Sequence, residues 1–171
     1  DVQWRIDPWA DVPRLLDEGK IDAYVGFPPE PQELRSKKIG HVIFSMRDDR
    51  PWSQYFCCSV AGNREFVRKH PVATKRALRA IVKGMEICAA DPLRAARAAV
   101  THNPQANLDG VLKMVKELHY GSWREYSAED TARFFALRLR DIGMLKGNPQ
   151  KLLAQGTEWR FIDQLRKEMK T

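Results

Sequence analysis

The spacing of apolar residues changes near residue 50, and this change constrains the fold more than any other feature of the chain. Before it, short runs such as Val2–Ile6, Ile21–Phe27 and Ile39–Ser45 are rich in β-branched and aromatic residues. Each is bounded by Pro, Gly or Asp, the pattern of a strand. Ile21, Ala23 and Val25 fall on one side of such a strand. A helical pattern over Trp9–Glu18 lies between the first two runs, with Val12, Leu15 and Leu16 on one face and Gly19 placed as a left-handed cap. A second short helix is expected around Gln32–Ser36. Strands alternating with helices imply parallel pairing under covering helices, so the expected fold class is α/β.

One more strand, Tyr55–Val60, follows the polar stretch Met46–Ser53. Beyond it the period becomes helical. Pro71 suits the first turn of a helix reaching about Ala90, with Leu78, Ile81, Val82 and Met85 on its core face. Asp91 and Pro92 open another helix running to Val100. Leu108, Val111, Leu112, Val115 and Leu118 mark a third. Ser127, with Asp130 three residues on, has the form of a capped start for a helix ending before Gly143. Pro149 begins a short helix, and Thr157 is placed to cap the last one, whose inward residues are Trp159, Ile162, Leu165 and Met169.

The formal net charge is +7, with basic residues densest from Arg64 to Lys83. Aromatic residues do not interleave that run, as single-stranded nucleic acid would require. A solvated helix face is the simpler reading, and no nucleic-acid partner is expected. No apolar run approaches the length needed to cross a bilayer. The sequence opens on Asp1 with no initiator Met, basic leader or apolar leader core, so a processed chain or additional upstream sequence is expected.

No nucleophile elbow, phosphate loop or dinucleotide fingerprint occurs, and the four histidines are scattered, so no enzyme activity is expected. The three cysteines are an odd count, which argues against a disulfide framework. No zinc-type spacing is present, and neither metal nor cofactor is expected. Cys57 and Cys58 would alternate faces on a strand. Two small buried hydrophobes are the simplest reading; a ligand-facing thiol or a vicinal disulfide are the alternatives.

Two segments carry candidate binding residues. Gly26–Pro31 lies at the carboxyl end of an apolar strand, where open α/β sheets place ligands. Phe27 offers a ring and Glu30 a carboxylate; packing of Phe27 in a core is the alternative. Pro51–Cys58 brings Trp52 and Tyr55 as stacking surfaces, or as core at a strand entrance.

The run Leu15–Pro31, with its helix, Gly19, the Ile21-Asp22-Ala23 strand and the Pro-Pro-Glu loop, resembles type II solute-binding proteins of ABC importers, in the nitrate, sulfonate and thiamine-precursor branch. Asn63–Phe66, His70-Pro71, Arg79-Ala80 and Ala90-Asp91-Pro92 extend the likeness. The resemblance implies a type II periplasmic-binding-protein-like fold, partial and two-lobed, with a helical C-terminal part. Residues 1–47 would belong to the smaller lobe, 48–52 to a hinge crossing, and 53–171 to the returning strand and helices of the larger lobe. It also implies capture of a small sulfonate, nitrate or pyrimidine-like molecule with Phe27, Glu30, Trp52 and Tyr55 at the cleft. The implied partner is a membrane permease, and the location is the periplasm or the outer face of the cytoplasmic membrane. That family carries a comparably long N-terminal half. Either that half or a second chain copy is therefore expected to cover the strand edges. A thiamine-pyrimidine synthase-like enzyme and a ligand-sensing effector domain share the fold and are the alternative functions.

Overall fold

A computed structural model describes residues 2–103 and 106–169. Its α-helices are α1 (Val12–Asp17), α2 (Glu30–Lys37), α3 (Arg64–Lys69), α4 (Pro71–Ala90), α5 (Pro92–His102), α6 (Leu108–Glu117), α7 (Ala128–Asp141), α8 (Pro149–Gly156) and α9 (Arg160–Glu168). Three short 3-10 turns, Trp9–Asp11, Trp52–Gln54 and Tyr120–Arg124, complete the regular structure.

No strand occurs among the described residues, which overturns the expected α/β class and its two-lobed type II form. Val2–Ile6, Ile21–Phe27, Ile39–Ser45 and Tyr55–Val60 are irregular. Their apolar side chains are largely outside: Trp4 is 81% exposed, Ile43 77% and Val60 60%. The physical reason lies in the backbone. A helix satisfies its amides within its own segment, whereas an extended segment needs a neighbour to bond to. Here the segment ends are tied into local turns instead. Ser45 shows this: its carbonyl accepts from Asp48 and Asp49 at 3.1 and 2.8 Å, while its amide donates to the Asp49 carboxylate at 2.7 Å. Without strand edges among these residues, the expectation that a second copy covers such edges loses its basis.

The helical expectations fare better, because their start and stop signals act locally. Gly19 ends α1 in the left-handed region at φ +65°, and Gly143 follows α7 at φ +75°. Asp91 accepts from the Arg94 amide at 3.0 Å, and Ser127 from the Asp130 amide at 3.1 Å. Thr157 does not cap α9. Its hydroxyl donates back to the Leu153 carbonyl at 2.7 Å, and α9 begins after Trp159 with no side-chain cap. Helix α2 ends on Lys38, held left-handed at φ 59°, a geometry that costs most non-glycine residues about 1–2 kcal/mol.

Two compact units emerge. The first comprises residues 1–44 and 90–118. Within it α5 packs along α6 and α2 against α6. Leu15, Leu34, Ala96, Val111 and Val115 are its buried apolar residues. Glu117 on α6 ties down α2, accepting from Arg35 at 2.5 Å and from the Gln32 side-chain amide at 3.1 Å.

The second unit comprises residues 45–89 and 119–171. Its core is Val82, Trp123 and Leu165, ringed by Leu78, Met85, Ile162 and Met169. Ile81, expected on the core face of α4, is 45% exposed. The guanidinium of Arg166 on α9 donates to the Tyr126 carbonyl at 2.6 Å, and Lys75 and Arg79 of α4 both pair with Glu168. Part of the basic run is therefore committed to structure. Arg64 likewise donates to the Gln155 carbonyl at 2.7 Å.

Candidate functional site

Glu30 opens α2, immediately after the proline loop, which fixes where its carboxylate stands. One carboxylate oxygen, Oε1, accepts from the indole nitrogen of Trp9. The Trp9 ring in turn lies 5.8 Å from Phe27, tilted by 39°. Both rings remain about half exposed, at 49% and 51%. The second oxygen of Glu30, Oε2, is buried and has no hydrogen-bond partner among the described residues. The same holds for the Tyr24 hydroxyl and for Oε1 of Gln32.

Three unpartnered oxygens within nine residues need explaining, because each forfeits a bond it would have made in water. Burial holds the Tyr24 hydroxyl above the usual phenol range, and the negative charge of Glu30 pushes it the same way. The phenol is therefore kept neutral and remains able to donate as well as accept. Gly26 permits this arrangement. A Cβ there would meet the Tyr24 hydroxyl at 3.0 Å and Pro31 Cγ at 3.1 Å. Aromatic surface, a carboxylate and a neutral hydroxyl are the components of a small-solute site.

Trp52 and Tyr55 belong to the second unit, and their rings are engaged there. Tyr55 stacks on Phe134 at 4.1 Å and 14°; Trp52 meets the same ring edge-on at 5.2 Å and lies 6.1 Å from Phe135. Phe56 packs edge-on against Tyr126 at 6.2 Å. Of the four residues expected at a binding cleft, Phe27 and Glu30 thus share one cluster, while Trp52 and Tyr55 share another. Trp9, Tyr24 and Gln32 were missed by sequence reasoning. Their one available signal was proximity to the Gly26–Pro31 loop, since nothing in residue type marks an unpaired oxygen.

A concavity of about 670 Å³ is lined by Asn63, Arg64, Glu65, Arg68 and Lys69. Its wall is the charged surface of one short helix, not the apolar enclosure that small solutes need. Among the described residues no cluster of three or more metal-ligating side chains occurs, and no helix is long and apolar enough to cross a membrane. The expected burial of the neighbouring cysteines is not found: Cys57 and Cys58 are exposed. Their sulfurs do not lie on opposite faces either, but stand 3.3 Å apart.

This composition suits the binding of a small molecule, and comparison of the sequence gives the chain a family. Residues 1–102 match the NMT1-like family model, so the chain belongs to that family, one of periplasmic solute-binding proteins of ABC transporters. The family is generally one of binding proteins, not enzymes. No curated protein and no solved structure matches the chain.

Proposed function

We propose that this chain is the solute-capturing component of an ABC importer, and that its solute is a heteroaromatic, amine-bearing molecule held by Tyr24, Phe27 and Glu30. The observation that carries this reading is the pair of unpartnered buried oxygens on Tyr24 and Glu30, with Trp9 bonded to Glu30 and the half-exposed rings of Trp9 and Phe27 in contact; Gln32, on the same helix, has a third. Oxygens of this kind call for N–H donors, and the rings offer a face to a flat solute.

Within the nitrate, sulfonate and thiamine-precursor branch, the chemistry favours the pyrimidine-like solutes. Nitrate and sulfonates are anions that donate no hydrogen bond, and Glu30 would repel them. An aminopyrimidine supplies donors to the free oxygens and stacks on Phe27. By satisfying them it stabilises the conformation that gathers them, and this population shift is what the membrane permease would sense. Capture would take place in the periplasm or at the outer face of the cytoplasmic membrane. Trp52 and Tyr55 serve this reading as scaffold, since Phe134 already occupies them.

Thermal denaturation with a panel of an aminopyrimidine, an alkanesulfonate and nitrate tests the proposal. At a hundredfold excess over its dissociation constant, a ligand adds about 2.7 kcal/mol to stability. The aminopyrimidine is expected to raise the melting temperature, and the two anions to leave it unchanged. No shift with the aminopyrimidine, or an equal shift with nitrate, overturns the reading.

A further inference from the structure

The cysteines form a second site, independent of the solute cluster. Cys57 and Cys58 are chain neighbours, both exposed, and their sulfurs approach to 3.3 Å. That is a hydrogen-bonding contact between thiols, and bond formation would draw the sulfurs in to about 2.05 Å. On an extended backbone, successive side chains point to opposite faces and their sulfurs would diverge. Here the irregular backbone after the Trp52–Gln54 turn brings them to one side. Burial, and then the bond to the Cys58 sulfur, push the Cys57 thiol above its ordinary range. The Cys57 thiol is thus held neutral until its proton is removed. Cys88, the remaining cysteine, lies half-buried on α4 and is a separate thiol.

We propose that Cys57 and Cys58 are a reversible thiol–disulfide site, closed by exchange with a low-molecular-weight disulfide. In the first step the thiolate of one cysteine attacks the small disulfide, forming a mixed disulfide and expelling one small thiolate. In the second, the neighbouring cysteine loses its proton and attacks the protein-side sulfur. The vicinal S–S bond forms and the second small thiolate leaves. Two protein thiols are oxidised and one small disulfide is reduced to two thiols. An extracytoplasmic family setting is one in which such disulfides form and persist.

The same geometry makes the bond labile. Adjacent Cα atoms stand about 3.8 Å apart. Unstrained disulfides span about 4.4–6.8 Å. Strained and exposed disulfides are the readily reduced ones, so this pair is suited to switching and not to stapling. Phe56, directly before the pair, packs on Tyr126, so ring closure would be transmitted to that contact.

The test uses the full chain carrying Cys88→Ser, treated with oxidised glutathione, denatured in acid, alkylated and weighed intact. The expected product has lost two hydrogens, carries neither glutathione nor alkyl group, and returns to two alkylatable thiols after dithiothreitol. Adding Cys57→Ser or Cys58→Ser removes the resolving sulfur, and each such variant is expected to stop at one glutathione adduct. Far-UV circular dichroism verifies that both remain folded. Double glutathionylation of the pair, disulfide-linked dimers, or two thiols still alkylated after oxidation would each overturn the proposal. So would single-cysteine variants that take up no glutathione, because the site requires accessible thiols.

Discussion

The two units treat aromatic rings and polar atoms in opposite ways. In the second unit the rings of Trp52, Tyr55, Phe134 and Phe135 turn on one another, and Arg64, Lys75, Arg79, Arg124 and Arg166 bond carboxylates or carbonyls. Its orphaned polar atoms are minor ones: the Nε atoms of Arg79 and Arg166, whose terminal nitrogens are bonded, and the hydroxyl of Thr131. In the first unit Trp9 and Phe27 keep half their surface open, and the orphans among the described residues are oxygens of one short stretch of sequence, on Tyr24, Glu30 and Gln32. Satisfied contacts give a scaffold; unsatisfied acceptors near open rings are what the proposed solute would use. The difference teaches that binding capacity here is read from what the fold leaves unpaired, not from where aromatic residues are dense.

This contrast can be broken by substitution. The largest effect belongs to the scaffold. Leu165 is fully buried between α4 and Trp123, so Leu165→Ala is expected to cost about 2–5 kcal/mol in chemical denaturation. The upward shift in melting temperature produced by an aminopyrimidine should keep its size. Loss of that shift would mean the second unit does more than support.

Next comes a matched pair read by calorimetric titration with the aminopyrimidine. Glu30→Gln replaces a charged acceptor with a neutral one and is expected to weaken binding by about 1.5–3 kcal/mol. Tyr55→Leu should leave affinity unchanged and lower stability by about 0.5–1.5 kcal/mol, the worth of its stacked contact with Phe134. Equal losses of affinity in the two variants would erase the distinction between the units.

The smallest effect is electrostatic. Hydrogen bonding from Lys75 holds the Glu168 carboxyl below the usual range; desolvation opposes it, and the charges of Lys75 and Arg79 add to the lowering. A carboxyl whose folded pKa lies below its unfolded value of about 4.3 stabilises the fold above that pH and loses the contribution as pH falls through the folded pKa. Melting curves of the parent and Glu168→Gln should therefore differ slightly near neutrality and converge in acid. The groups are exposed, so solvent screening keeps the gap small. A gap that widens in acid would refute the assignment.

How legible was all this in the sequence? Helices were readable because their signals are local: Asp91, Ser127, Gly19 and Gly143 act within a few residues of their own positions. Thr157 shows the limit. A threonine directly after a helix can bond backward as easily as forward, and residue type does not choose. The apolar runs from Val2 to Val60 were misread for a deeper reason. Period-two spacing specifies a strand only when another segment supplies the opposing backbone groups, and that is a property of the whole fold. At the site, Phe27 and Glu30 stood out because the proline loop fixes the local backbone. Tyr24 and Gln32 did not, since their significance lies in the bonds they fail to make.

Lys38 ends the helix that carries Glu30 and Gln32, and it adopts left-handed geometry without being glycine, while Gly40 takes the same geometry two residues on. In evolutionary terms this is unused headroom. Glycine at position 38 would relieve a clash between Cβ and backbone without touching Tyr24, Phe27 or Glu30. A lineage pressed by heat therefore has a route to a sturdier fold that leaves the proposed solute residues intact.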